Sequence, residues 1–221
     1  MYDRVGESYD RVAQRYADEI GGELAGKPVD RALLRCLGDL VSEVAEATGP
    51  GLLGDLGCGP GHIAAYLAGL GLATIGVDLS PGMIEVGRRR YPDLAWRQGS
   101  LLALPLTDGE LAGAIAFYSI LHLVPADRGR AYAEMARVIR TDGWLLVGFH
   151  VGLVGREPGG IMHVEQWWER DVDLDFYYLD PDEVVEGLAA AGFVLMSRTD
   201  REPWPGVELQ SRRCYLLCRR S

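Results

Sequence analysis

The chain has 221 residues, 48% of them hydrophobic and 24% charged, with a formal net charge of −10. That balance builds a sizeable core and excludes a disordered or fibrous chain. The acidity argues against a protein that tracks nucleic-acid phosphates.

In chain order, Met1-Tyr2-Asp3-Arg4 opens a charged segment and has no apolar stretch of the kind a secretory leader needs. Tyr2-Asp3-Arg4-Val5 returns as Tyr9-Asp10-Arg11-Val12, and Tyr16 follows seven residues after Tyr9. Tyrosines seven apart fall near one face of a helix. Such a stripe either docks on the core or lines a site as a lid. A second helix is predicted over residues 28–48: Pro28 suits a first turn and Gly49-Pro50 ends it. Leu33, Leu34, Leu37, Leu40, Val41 and Val44 give its apolar stripe.

From residue 51 strands and helices alternate. Strands are predicted at 51–56, 73–77, 94–97, 111–118 and 144–149, and helices at 62–69, 81–90 and 126–140. Ser80 and Pro81 suit the N-cap and first position of the second of these helices. The nearly continuous apolar run at 111–118 is that of a central parallel strand covered on both faces. The uncharged stretch from Leu56 to Val77 is long enough for a membrane, but six glycines and a proline break it into turn, helix and strand. Alternating strands and helices imply a doubly wound sheet.

After the fifth strand a loop is expected at 152–160. Residues 161–179 then alternate, with Val172, Leu174, Phe176 and Tyr178 on one side and Asp171, Asp173, Asp175 and Tyr177 on the other. A helix follows at 182–191, then closing strands at 193–199 and 214–218, paired as a hairpin. Of the cysteines, Cys36, Cys58, Cys214 and Cys218, none form a CxxC pair. Cys214 and Cys218 would lie roughly 13 Å apart on one strand, too far to bridge. Free, buried thiols in a reducing cytoplasm are expected.

The most informative segment is Gly54-Asp55-Leu56-Gly57-Cys58-Gly59-Pro60-Gly61-His62, between a strand and a helix. Glycines there let a ligand approach the backbone closely. A dinucleotide site prefers Gly-x-Gly-x-x-Gly facing a pyrophosphate. Here the third glycine comes one position early, and Asp55 would repel a pyrophosphate but attract an ammonium. Nineteen residues after Gly59, Asp78 ends the second strand, where a carboxylate accepts both hydroxyls of a ribose. Alone, Asp78 would equally serve as a helix cap or a solvated aspartate.

Together these residues resemble the class I S-adenosylmethionine-dependent methyltransferases, of the small-molecule type of bacterial biosynthetic pathways. The resemblance spans about residues 9–199. Asp55–Gly61 matches the first motif and Val77-Asp78-Leu79-Ser80-Pro81-Gly82-Met83 the second. Gln98-Gly99-Ser100, then Leu104-Pro105-Leu106, match the third, and Tyr118-Ser119-Ile120-Leu121-His122 the segment after the fourth strand. The resemblance implies an α/β, Rossmann-like, seven-stranded sheet, mostly parallel with an antiparallel last strand. It implies one methyltransferase domain: an N-terminal helical lid (1–48), a donor-binding half (51–150), and a substrate-side segment with closing strands (151–221). The cofactor implied is S-adenosyl-L-methionine, held by Asp55, Gly57, Cys58, Gly59, Gly61, Asp78, Leu79, Met83, Ser100, Leu101 and Tyr118, with Tyr9 and Tyr16 of the lid. Two positions depart from the family. Ser100 stands where an aspartate usually bonds the adenine amino group, and Leu111-Ala112 replaces a Phe-Asp pair.

Methyl transfer is an in-line displacement from a reactive donor, so positioning and desolvation supply much of the catalysis. A base is needed only where the nucleophile loses a proton early. His122 is one candidate, at the carboxyl edge of the sheet; packing or capping the next helix is its structural alternative. His163, Glu165 and Trp167 share one face if 161–168 is extended, giving a second candidate in Glu165 beside His163; an ordinary edge strand is the alternative. The Asp171/Asp173/Asp175 row lacks histidine partners, so no metal is expected, and His150 is expected to be structural. Tyr9, Tyr16, Trp167, Trp168, Tyr177 and Tyr178 favour an aromatic natural-product acceptor, with carbon, nitrogen or oxygen as the methylated atom. A small-molecule substrate, no nucleic acid, no membrane and a monomer or homodimer are expected. The rival readings are a nicotinamide-dependent oxidoreductase and a non-catalytic adenosyl-ligand-binding partner protein. The first lacks its glycine spacing and a Tyr-x-x-x-Lys pair, since Lys27 is the only lysine.

Overall fold

The computed structural model describes residues 2–49, 51–154 and 159–221. A seven-stranded sheet runs in the order β3-β2-β1-β4-β5-β9-β8. Its strands are β1 (Leu52–Leu56), β2 (Thr74–Asp78), β3 (Ala95–Gln98), β4 (Leu111–Phe117), β5 (Ile139–Leu153), β8 (Phe193–Arg201) and β9 (Ser211–Arg220). The first five pair in parallel, and β9 runs antiparallel to both β5 and β8. This is the α/β sheet with an antiparallel last strand that the sequence implied.

Every residue of β4 is buried, as its unbroken apolar run requires. Ala114 and Ala116 point to one face, where Met135 and Val138 of α5 (Pro125–Val138) and Leu188 of α6 (Pro181–Ala190) pack. Ile115 points to the other face, covered by Leu34, Leu37 and Val41 of α2 (Pro28–Thr48) and Leu67 of α3 (His62–Gly69). α2 therefore forms a layer of the sheet core and not part of a cover. Of these two helices, α1 (Tyr2–Ile20) is the one that lies over the carboxyl edge. It rests on α4 (Pro81–Arg90), where Asp10 Oδ1 accepts from Ser80 Oγ at 2.5 Å and from the Gly82 amide at 2.7 Å.

Several boundaries differ from the sequence reading. α5 stops at Val138, and β5 begins at Ile139 rather than 144, because the Thr141-Asp142-Gly143 turn is absorbed as a bulge with Asp142 at φ 65°. β4 ends at Phe117, and Tyr118 turns out of it at φ 54°. Gly152 and Leu153, read as loop, extend β5, while residues 155–158 of that segment lie outside the described ones. The alternating stretch folds as a separate hairpin, β6 (Ile161–Trp167) and β7 (Arg170–Tyr177), turning through Trp168 and Glu169 at positive φ. All four cysteines are free; Cys36 is exposed rather than buried. Among the described residues no helix is long and apolar enough to cross a membrane.

Candidate active site

Two cavities open along the carboxyl edge of the sheet, and Tyr9, Tyr16, Glu23 and Tyr118 line both. The first is floored by the loop after β1. Gly57, Gly59 and Gly61 hold φ of +79°, +53° and +81°, where side chains are strained. A Cβ on Gly57 would come within 2.3 Å of Ser119, and one on Gly61 within 2.2 Å of the Trp96 ring. At Gly59 a Cβ would project into open space, with only Tyr16 within 4 Å, at 3.9 Å. Two glycines thus serve close packing and the third leaves room for a ligand. Cys58 beside them is buried and remains a thiol, its pKa pushed up by burial.

Asp55 and Asp78 give this cavity its chemistry. Asp55 is buried and one carboxylate oxygen, Oδ2, accepts from the Ala64 amide at 3.0 Å. Asp78 accepts from the Gly59 amide at 2.7 Å on Oδ2 and from the Ser80 amide at 2.8 Å on Oδ1. Each carboxylate oxygen accepts more than one bond, so Asp78 is fixed in place and still has sites for a vicinal diol. Burial, reinforced by Asp78, raises the Asp55 pKa to about 7, and burial raises that of Asp78 to about 6. A cation bound here would relieve that cost. Beyond Asp78, Leu79, Met83 and Leu101 line an apolar end of the cavity. Ser100 Oγ, at the same end, accepts from the Leu102 amide at 3.1 Å. It keeps its own proton and a free lone pair for a heterocycle edge. At the opposite end the buried His62 Nδ1 has no partner among the described residues, while its Nε2 meets Glu23 Oε1 at 3.3 Å. The cavity thus has donors and acceptors for an amino-acid head, a ribose and a flat apolar base.

The second cavity encloses about 750 Å³. The inner face of the β6–β7 hairpin supplies Met162, Val164, Trp167 and Phe176, and His150 stands within β5, three residues before its end. His122 sits where the cavities meet. Its Nδ1 lies 2.9 Å from the Asp175 carbonyl oxygen, which only accepts, so Nδ1 carries the proton. Its Nε2 therefore accepts from the Tyr9 hydroxyl, at 2.7 Å. Burial lowers the His122 pKa to about 4 and holds that of Tyr9 well above the ordinary value, so both are neutral. Of the pair, Tyr9 is the member that both cavities touch.

The other base candidates are not brought to the site. His163 and Glu165 line neither cavity, and the Glu165 side chain is 86% exposed. His163 Nδ1 instead bonds Asp175 Oδ1 at 2.8 Å on the outer face of the hairpin. The expected common face of His163, Glu165 and Trp167 fails because the register shifts between Val164 and Gln166. Glu165 and Gln166 both turn outward, and Trp167 returns to the side of Val164. The thirteen residues implied for donor binding fare better: apart from Gly61, all line the first cavity. Gly61 instead packs on Trp96 behind the loop. Among the described residues no cluster suits a metal ion. Sequence reasoning missed His62, Glu23, Lys27 and Arg213; Glu23 and Lys27 are an i,i+4 pair that the spacing could have shown, whereas His62 and Arg213 join them from distant segments. It read His150 as structural, although His150 lines the second cavity.

A family profile described as a methyltransferase domain matches residues 54–147. The demethylmenaquinone methyltransferase of Beutenbergia cavernae is 33% identical over 65% of this chain and 56% of its own length. The chain spans about half the length of the curated relatives it matches. An S-adenosylmethionine-dependent methyltransferase structure from Methanosarcina mazei superposes with a TM-score of 0.66 at 17% identity, covering 77% of this chain and 92% of that one. The glycopeptide N-methyltransferase MtfA, complexed with S-adenosyl-L-methionine, gives 0.60 at 20% identity, covering 82% and 92%. At these identities the structural likeness concerns the fold.

Proposed function

We propose that the chain, whose residues 54–147 match a methyltransferase-domain profile, is an S-adenosylmethionine-dependent methyltransferase that methylates a small, uncharged aromatic natural product held in the second cavity. The donor residues fit that cofactor: Asp55 receives its ammonium, Asp78 its ribose hydroxyls, and the Leu79/Met83/Leu101 end its adenine. The relatives that carry a quinone methyltransferase name support an aromatic acceptor. The observation that carries the reading is the shared wall: Tyr9, Tyr16 and Tyr118 border both the donor residues and the aromatic cavity.

S-adenosylmethionine, when bound, supplies an electrophilic methyl carbon on a sulfonium. An atom of the acceptor forms the new bond to that carbon, and the carbon–sulfur bond breaks with its electron pair returning to sulfur. Helix α1 covers the junction and excludes water from it. Where the acceptor carries a proton, Tyr9 Oη accepts it while the Tyr9 proton passes to His122 Nε2. The imidazolium so formed stays anchored by the Asp175 carbonyl. Because burial weakens His122 as a base, the relay works as the acceptor proton becomes acidic during attack. Glu23, His62 and Tyr16 close the far end of the donor cavity.

Turnover of methyl-labelled donor against a metabolite extract, with mass identification of the product, tests this function. Label in a small aromatic product is the expected result. No heat on titration with S-adenosylhomocysteine, or label in macromolecules alone, would overturn it.

A further inference from the structure

The far end of the second cavity carries many ionic groups, but none is left for a ligand. Lys27 pairs with Glu23 at 2.6 Å and lies 3.6 Å from Glu208. Arg201 meets Glu208 at 2.5 Å and Asp30 at 2.9 Å, and Arg213 meets Glu208 at 3.1 Å. Three cations therefore face three carboxylates, with Lys27, Arg201, Arg213, Asp30 and Glu208 all almost fully buried. Hydroxyls tie the same network together: Tyr118 to Tyr215 at 2.8 Å, and Tyr215 to Asp30 Oδ1 at 2.8 Å. Glu19, also on the cavity wall, pairs with Arg15 at 2.8 Å. A buried charge without a counter-ion costs far more than a hydrogen-bonded neutral group. An ammonium or carboxylate head on the acceptor would have to break one of these pairs to find a partner.

Among the described residues Arg213 Nε on this wall is buried without a partner, but its guanidinium charge is already balanced by Glu208; the neutral group left with an unbonded nitrogen is His150. His150 Nδ1 bonds Ser211 Oγ at 2.5 Å, and its ring stacks on Tyr118, with centroids 4.8 Å apart. No described residue bonds its Nε2. Burial, then Arg213 and Lys27, lower its pKa to about 3, so the ring is a neutral hydrogen-bonding group. Ser211 Oγ can donate or accept, so the imidazole takes whichever tautomer an incoming oxygen requires. The hairpin side of the same cavity is apolar, with Trp167 and Phe176 meeting edge to face, at 6.1 Å.

Resting on the methyltransferase reading, we infer that the second cavity selects an uncharged, flat acceptor bearing an oxygen substituent on its ring, and that His150 Nε2 is the positioning group for that oxygen. The ionic end recognises no charge of the ligand; its paired groups fix the wall on which Tyr118 and His150 stand.

Four probes with one two-ring body test this: 2-naphthol, naphthalene, 2-naphthoate and 2-naphthylmethylammonium. Each is titrated calorimetrically into the full chain, with and without saturating S-adenosylhomocysteine. The neutral naphthol should bind about tenfold more tightly than naphthalene, the return on one hydrogen bond, and more tightly than either ion. H150F keeps the stack on Tyr118 and should erase the advantage of naphthol over naphthalene. H150Q keeps a polar end and should retain part of it. Tight binding of the naphthoate or the ammonium would overturn the inference, as would binding of none of the four, or an unchanged naphthol preference in H150F. If H150F fails to fold, the ranking on the native chain still decides for or against an uncharged ligand. Failure of S-adenosylhomocysteine to bind would refute the methyltransferase reading separately, since the probe ranking is also read without it.

Discussion

Asp78 offers a direct test of the donor site, because its bonds to protein and to ligand can be separated. In the D78A chain, the Gly59 and Ser80 amides lose their acceptor at 2.7 and 2.8 Å. On the proposed assignment, the ribose hydroxyls would lose two charge-assisted bonds. Each such bond is worth roughly 1.5–3 kcal/mol. Two at the lower figure give ~3 kcal/mol, or about a hundredfold in affinity at 1.4 kcal/mol per decade. The loop amides are structural, so the thermal transition should fall as well. Loss of affinity alone would therefore not distinguish a missing ribose contact from a disordered loop. The assay that does compares 5′-methylthioadenosine with its 2′-deoxy analogue by calorimetry. The native chain should prefer the diol by about tenfold or more, the value of one charge-assisted bond. D78A should bind both weakly and equally. A preference for the diol that is undiminished in D78A would place the ribose elsewhere and refute the assignment.

Y9F keeps the aromatic contacts of Tyr9 with Tyr16 and Trp167 but removes the hydroxyl. For an acceptor that loses a proton, turnover should drop by about 10²-fold with donor affinity unchanged. H122A should do the same, and the double variant should be little worse than either, as for two members of one relay. E165Q and H163A should stay within about twofold of the native rate, like other surface changes remote from the site; a large loss in either would return the base to the hairpin. The pH dependence follows from Asp55 and Asp78, whose folded pKa values of about 7 and about 6 exceed the ordinary 3.8. Their protonated forms favour folding, so that stability is present at low pH and is lost as pH rises through 7. The thermal transition of the ligand-free chain should fall between pH 5 and 8, and D55N should flatten the slope. Donor affinity should rise over the same window, because the carboxylate is the form that takes an ammonium. A ligand-free transition that climbs with pH would contradict this.

The residues that line the first cavity were legible because their signals are local. A glycine spacing, a strand-end aspartate and a Ser80-Pro81 cap each act within a few residues, and a backbone-lined ligand site cannot be built without them. Helix α2 was readable to its ends for the same reason: Pro28 starts it and Gly49 closes it. Strand lengths were less visible. The extra residues of β5, β8 and β9 are held by neighbours in the sheet, and a propensity window does not contain those neighbours.

The second cavity depends on long-range geometry. Tyr9 meets His122 across 113 residues, and the ionic end joins α2 to the segment between β8 and β9. No spacing rule links such residues. The hairpin shows how a correct local pattern still misplaces chemistry. Alternation along 161–167 was real, and strict alternation put His163, Glu165 and Trp167 together. One register shift between Val164 and Gln166 sends the two ionisable groups to solvent and only the indole to the cavity. A period-2 pattern carries side information only up to the next irregularity. The inward set that results, Met162, Val164, Trp167 and Phe176, has no charge among it. An acidic base on that wall would have been buried against apolar rings, with its pKa driven upward. The proton-accepting role we propose is therefore given to a neutral hydroxyl–imidazole pair, which can be buried at far less cost than a carboxylate.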